Sequence, residues 1–175
     1  TPEEVKGYYE KLDKSLLETK SAKNIKKVLD SMTGNTLGKP APNFSAPSPD
    51  GKTISLKESL GKVTIIDFWA SWCGPCRAEN PNVVAMYNEL HDKGLNIIGV
   101  SLDKDAAKWK EAIAKDKLTW AHVSNLKFWD EPIAKQYNVQ SIPATFILDA
   151  KGNIVAKDLR GDALKAKVKE LLGVK

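Results

Sequence analysis

Side chains that hold metals or perform nucleophilic chemistry are scarce in this 175-residue chain: it has two cysteines and two histidines, and of its 27 basic residues only Arg77 and Arg160 are arginines. Two cysteines cannot build a disulfide scaffold, and a chain this long needs none, because it buries roughly 70% of the surface it exposes when unfolded. No apolar stretch approaches the roughly 20 residues that cross a bilayer. The longest, such as Val63 to Ala70, are strand-sized. Nucleic acid is not an expected partner either: the net charge of +5 is diffuse lysine, densest over residues 151–175, with no interleaved aromatics and on what reads as the polar side of a terminal helix. With 42% hydrophobic and 28% charged residues, the composition is that of one folded globular domain. The chain begins Thr1-Pro2-Glu3 with neither a methionine nor a leader pattern, so it reads as a processed or trimmed piece of a longer product.

What is present is well patterned. Val5, Tyr8, Tyr9, Leu12 and Leu16, then Ile25, Val28, Leu29 and Met32, recur at helical spacing with a break near Lys20 to Lys23, which predicts two amphipathic helices. Gly34-Asn35 ends the second, and Leu37 to Pro42 cannot be helical, so a helical segment over 1–36 precedes the main domain over 37–175. Asn43–Ala46 and Thr53–Leu56 flank a Pro-Ser-Pro-Asp-Gly turn and read as a hairpin. Val63–Trp69 and Asn96–Leu102 read as strands on either side of a helix over about Cys73 to Lys93, which implies a parallel pair. Helical spacing at Ala106, Trp109 and Ile113, extension over Thr119–Val123 and a short helix around Glu131–Tyr137 follow. A hairpin, Ala144–Leu148 with Ile154–Lys157, and a helix over Leu164–Leu172 close the chain. The sum is an α/β fold: a mixed central sheet covered by helices.

Both cysteines fall in one motif, Trp72-Cys73-Gly74-Pro75-Cys76-Arg77. A zinc site wants four ligands, and His91 and His122 lie far outside the spacing of a finger. Covalent haem attachment needs histidine directly after the second cysteine, where Arg77 stands. A disulfide closing so small a loop adds little stability. The pair is therefore expected to open and close. At the start of a helix, free N–H groups and the positive dipole end favour a thiolate. Cys73, capping the helix and facing solvent, should attack a substrate sulfur; Cys76, shielded in the first turn, should resolve the mixed disulfide. Two carboxylates are candidates for the base that Cys76 needs. Asp67 sits in a strand expected to be internal, where burial raises a carboxyl pKa. Glu79 lies one helical turn past Cys76. The plainer alternatives are a strand-end aspartate reaching water or a lysine, and a solvated helix-face glutamate.

Asp67-Phe68-Trp69-Ala70, the Trp72 to Cys76 motif, Pro81 and Ile142-Pro143-Ala144-Thr145 together resemble the thioredoxin superfamily. The leading hairpin, the Cys-Gly-Pro-Cys-Arg-Ala-Glu-Asn-Pro stretch and an added helix and strand at about residues 104–123 resemble its TlpA/ResA branch, over about residues 37–175. The resemblance implies a thioredoxin-like mixed sheet and thiol-disulfide oxidoreductase activity. It implies a cis Ile142–Pro143 peptide beside the cysteines, with Trp72, Gly74, Pro75, Ile142 and Pro143 facing the substrate, and it places buried carboxylates at Asp67 and Glu79. Pro81 matches the family's helix kink. Trp69 is expected in the core, and Phe128 and Trp129 in packing or at the border of a substrate groove. No bound cofactor is implied beyond the redox-active pair itself. Partners would be protein disulfides and an upstream dithiol donor, with a membrane tether possible outside this fragment. The location implied is periplasmic or otherwise extracytoplasmic, in a bacterium. The Gly74-Pro75 spacer resembles that of reducing thioredoxins, which favours a disulfide reductase.

Two other readings stand beside this one. A thiol peroxidase of the peroxiredoxin branch would have threonine and proline where Ala70 and Ile66 stand. A non-catalytic thioredoxin-like binding module would not require both Cys73 and Cys76.

Overall fold

The computed structural model describes residues 2–33 and 37–174. The Gly34-Asn35 stop, and with it the proposed boundary at residues 36 and 37, lies outside the described residues, as do Lys175 and the side chain of Met32.

Three helices open the chain rather than two: α1 (Pro2–Glu10), α2 (Lys14–Leu17) and α3 (Lys20–Thr33). The periodic pattern spans interruptions that local caps create. Asp13 accepts the Ser15 N–H at 2.9 Å to start α2, and the Thr19 hydroxyl accepts the Ala22 N–H at 3.2 Å at the start of α3. α1 packs against α3, with Ala22 and Leu29 buried, while Val5, Tyr8, Leu16, Ile25 and Val28 stay exposed. Much of the apolar stripe therefore remains uncovered.

The hairpin β1 (Ser45–Pro47) and β2 (Thr53–Ser55) forms its own antiparallel sheet. The main sheet holds β3 (Val63–Trp69), β4 (Leu95–Ser101), β5 (Ala121–Val123), β6 (Ala144–Leu148) and β7 (Ile154–Lys157), in the order β5-β4-β3-β6-β7. β3 pairs in parallel with β4 and antiparallel with β6, so it is the middle strand. Its run of Val, Thr, Ile, Ile, Phe and Trp suits a strand covered on both faces.

Period-two alternation sends the side chains of β3 two ways. Ile66 and Phe68 are fully buried, and Phe68 meets Tyr137 and Phe146 with ring centroids 5.6 and 5.9 Å apart. Tyr137 is held from above by donating its hydroxyl to the Pro42 carbonyl at 2.6 Å. On the opposite face Ile65 and Asp67 lie under α4 (Gly74–Leu90) and α7 (Gly161–Leu172), sharing a cleft with Val83 and Leu164. α4 turns Cys76, Asn80, Val83, Met86 and Leu90 inward, the i, i+3, i+4 spacing of a helix face packed on a sheet. Pro81 sits inside α4, where it supplies no N–H to the Arg77 carbonyl one turn earlier. The remaining helices are α5 (Ala106–Lys115) and α6 (Pro132–Gln136). Lys165 and Lys169 of α7 both pair with Glu89, at 2.5 and 3.0 Å, and Lys167 pairs with Glu170 at 2.9 Å. These contacts tie down part of the basic terminal segment.

Gly99 of β4 marks a close approach: a Cβ there would lie 2.6 Å from His122 Nδ1 and 3.1 Å from Trp69 Nε1. Both rings are buried. Gly99→Ala should therefore destabilise the fold by about 1–3 kcal/mol through overpacking, read as a lowered denaturant midpoint; an unchanged midpoint would show that the His122 ring yields freely.

Candidate active site

The junction of β3 and α4 carries the cysteines. β3 ends at Trp69, a short loop follows, and Cys73 is the N-cap of α4 with extended backbone angles (φ −84°, ψ 99°). Its Sγ accepts the Cys76 N–H at 3.3 Å. Pro75 sits in the first turn, where its missing donor is harmless and its fixed φ suits a helix start. Cys73 and Cys76 are joined as a disulfide. The expectation of a solvent-facing Cys73 is corrected: Cys73 is 4% and Cys76 3% exposed. Both cysteines belong to the buried core cluster, while the adjacent Trp72 stands 47% exposed in a cluster with Phe128 and Trp129, at ring centroid distances of 5.2 and 6.3 Å. Gly74 and Pro75 are exposed at the tip of the helix. Phe128 and Trp129 are also exposed, next to Trp72 rather than in the core, whereas Trp69 is buried as expected.

Ile142–Pro143 is cis. Pro143 lines the small cleft behind the disulfide together with Cys76, Asp67, Glu79 and Arg160. The free volume there is about 20 Å³, and roughly 10–15 Å³ holds one water. A wider groove of about 490 Å³ opens on the far side of Pro143, between the Gln140–Ser141 segment and Lys157, Asp158 and Arg160.

Asp67 is half-buried rather than enclosed. Burial, reinforced by the nearby Glu79 charge and opposed by Arg160, pushes its carboxyl pKa up to about 7. Glu79 is held firmly: one oxygen accepts the Gly161 N–H at 2.6 Å, at the start of α7, and the other accepts from Asn82 at 3.2 Å. The favourable end of the α7 dipole thus fixes Glu79 near Asp67. The fold therefore brings Cys76, Asp67, Glu79 and Pro143 into one cleft, and places Trp72, Gly74 and Pro75 on the outer rim.

Sequence reasoning missed the arginines. Arg160 Nη2 donates to the Pro143 carbonyl at 3.0 Å. Arg77 binds Asp116 through Nε and Nη2, the latter at 2.6 Å, and the Ser71 carbonyl through Nη1 at 3.1 Å. Their rarity was the available signal. In a chain that otherwise uses lysine, a guanidinium marks a place where a fixed, forked donor is needed.

Comparison with known proteins agrees with this geometry. The AhpC/TSA family model matches residues 37–157. Thiol-disulfide oxidoreductase ResA of Bacillus thuringiensis subsp. konkukian (strain 97-27) is 30% identical over 136 residues, which is 78% of this chain and 76% of that protein. Thioredoxin-like protein YneN of Bacillus subtilis (strain 168) is 35% identical over 117 residues, 67% of this chain and 68% of that one. Among solved structures, the thioredoxin domain of a Bacteroides vulgatus thiol-disulfide oxidoreductase superposes with a TM-score of 0.73 at 36% identity, covering 78% of this chain and 98% of that one. A thiol-disulfide oxidoreductase from Bacteroides fragilis NCTC 9343 does so at 0.69 and 36%, covering 76% and 99%.

A carboxyl whose folded pKa lies above its unfolded value favours the fold most when both states are protonated, and its penalty grows as pH rises through the folded pKa. With Asp67 at about 7, Asp67→Asn should be more stable than the wild type at pH 8 by up to about 4 kcal/mol, with the difference fading toward pH 4. Denaturant titrations at both pH values measure it; a gap of the same size at both would remove the raised pKa.

Proposed function

The chain belongs to the AhpC/TSA family and is a thiol-disulfide oxidoreductase, and from that premise we propose that it reduces protein disulfides with electrons drawn from an upstream dithiol protein. The observation that carries this reading is a helix-capping sulfur, Cys73, bonded to Cys76, which shares a cleft with Asp67 and Glu79.

The donor's two thiols open the Cys73–Cys76 disulfide, giving up two electrons and two protons and leaving as a disulfide. Cys73, stabilised as a thiolate by the first N–H groups of α4, then attacks the target disulfide. The target S–S bond breaks, one target sulfur leaves as a thiolate that takes up a proton, and the other stays bound to Cys73. Cys76 loses its proton, attacks the Cys73 sulfur, and expels the second target thiol as the disulfide closes again.

We assign the acceptor of the Cys76 proton to Asp67. A pKa of about 7 keeps it part-protonated near neutral pH, the cleft has room for one water to carry the proton, and Glu79 is already engaged by Gly161 and Asn82. Glu79 acts by raising the pKa of Asp67. The edge at Ile142 and Pro143 would pair with an extended target segment, Trp72 would shield the mixed disulfide, and the exposed Gly74 and Pro75 would meet the target beside the buried Cys73. The 490 Å³ groove beyond Pro143 gives such a segment a path across the surface. No bound cofactor enters the scheme. The family resemblance supports a bacterial, extracytoplasmic setting for it.

The reduction potential of the pair tests the direction of electron flow. A value near the thioredoxin figure of about −270 mV supports a reductase, and one near the DsbA figure of about −120 mV makes the protein an oxidant. Rapid consumption of hydrogen peroxide would favour the peroxidase reading, and the absence of any reversible couple would favour a binding module. For the mechanism, Cys76→Ser should trap a mixed disulfide on Cys73, while Asp67→Asn should slow resolution by about 100-fold at neutral pH. A larger loss in Glu79→Gln than in Asp67→Asn, in single-turnover measurements, would transfer the proton role to Glu79.

A further inference from the structure

Ser71, two residues before the capping cysteine, is pinned on both sides. Its N–H donates to Asp103 Oδ2 at 2.9 Å and its hydroxyl to Asp103 Oδ1 at 2.5 Å, and Ser101 Oγ donates to the same carboxylate at 2.7 Å. Its carbonyl accepts from Arg77 Nη1 at 3.1 Å. Arg77 is oriented in turn by Asp116, the C-cap of α5, whose carboxylate takes both remaining arms of the guanidinium and also the Asn80 amide at 2.7 Å. The side chains of Arg77 and Asp116 are 26% and 14% exposed, so the pair is shielded from the screening that weakens surface ion pairs. The fork geometry fixes direction as well as distance. The residues between the pinned Ser71 and the helix are Trp72 and Cys73, and the Cys73 N–H closes the loop on the Ala70 carbonyl at 3.1 Å.

We propose that Arg77 and Asp116 are positioning residues for the dithiol: the ion pair latches the Ser71 peptide to α5 and thereby holds Cys73 where its sulfur caps α4. This deepens the oxidoreductase reading and rests on it. A Cys73 thiolate is favoured only while its sulfur stays on the helix N–H groups, so a loosened latch disfavours the reduced state more than the disulfide, in which Cys76 itself restrains the Cys73 sulfur. The equilibrium concerned is protein disulfide plus two glutathione thiols giving protein dithiol plus glutathione disulfide, with two electrons and two protons passing to the protein.

The test is to equilibrate wild type, Arg77→Lys, Arg77→Gln, Asp116→Asn and the Arg77→Gln/Asp116→Asn double variant with glutathione buffers, count thiols by alkylation and mass, and record Tm alongside. Arg77→Lys and Asp116→Asn should each shift the equilibrium toward the disulfide by about threefold to tenfold, with the double variant no worse than the worse single one. Asp116→Asn separates position from charge, because it keeps the arginine and removes a negative group. A shift toward the dithiol in that variant would be a charge effect and would overturn the proposal. So would variants that lose Tm but keep the equilibrium within about twofold of wild type, which is the mark of a purely structural pair. If Arg77→Gln does not fold, Arg77→Lys, which retains the charge and loses the fork, decides. A wild-type protein with no reversible couple would overturn the redox reading and the latch together, whereas a working wild type with unmoved variants would overturn the latch alone.

Discussion

A sulfur stands where helices usually place a hydroxyl or carboxylate oxygen. Cys73 Sγ accepts the Cys76 N–H at the head of α4, and the chemistry of the site depends on that contact. Exposed N–H groups at a helix start need an acceptor, and a thiolate is a better one than a thiol. Both sulfurs are nearly inaccessible, and Trp72, next to Cys73 in the chain, clusters with Phe128 and Trp129 at the surface.

The middle position of β3 makes the second half of the site. Because β4 and β6 flank it and α4 and α7 cover one face, Asp67 cannot be fully hydrated, and its carboxyl is pushed up to about 7. In the neighbouring strands Gly99 and Thr145 are its register partners, so the charged groups facing it are Glu79 from α4 and Arg160 from the turn before α7. Burial, one like charge and one opposite charge together hold a group that titrates close to neutrality.

Much of this was legible beforehand because it is local. The CxxC spacing, the strand before it and the helix after it are short-range patterns, as are the turns that close both hairpins. Where local reading failed, the decisive contacts were distant or polar. Cys73, expected to face solvent, is instead part of the buried core, which no residue count along the motif reveals. The opening helices divide at Asp13 and Thr19 because side-chain caps outcompete a continuous apolar stripe. The arginines were visible as rarities but had no assigned partner: Arg77 finds Asp116 39 positions away.

The sequence by itself determined that two cysteines sit one turn apart at a strand-to-helix junction, since a turn of helix is fixed by neighbouring residues alone, and that spacing points to redox chemistry over metal or scaffold. Only the tertiary structure decided which groups line the cleft beside Cys76. Glu79 meets the Gly161 N–H across 82 positions of chain, and Pro143 and Leu164 line the same cleft as Asp67 and Cys76. Such contacts exist only once the sheet order has been set by packing, because it is the burial of β3 between its neighbours that brings chain segments distant in sequence against one cleft.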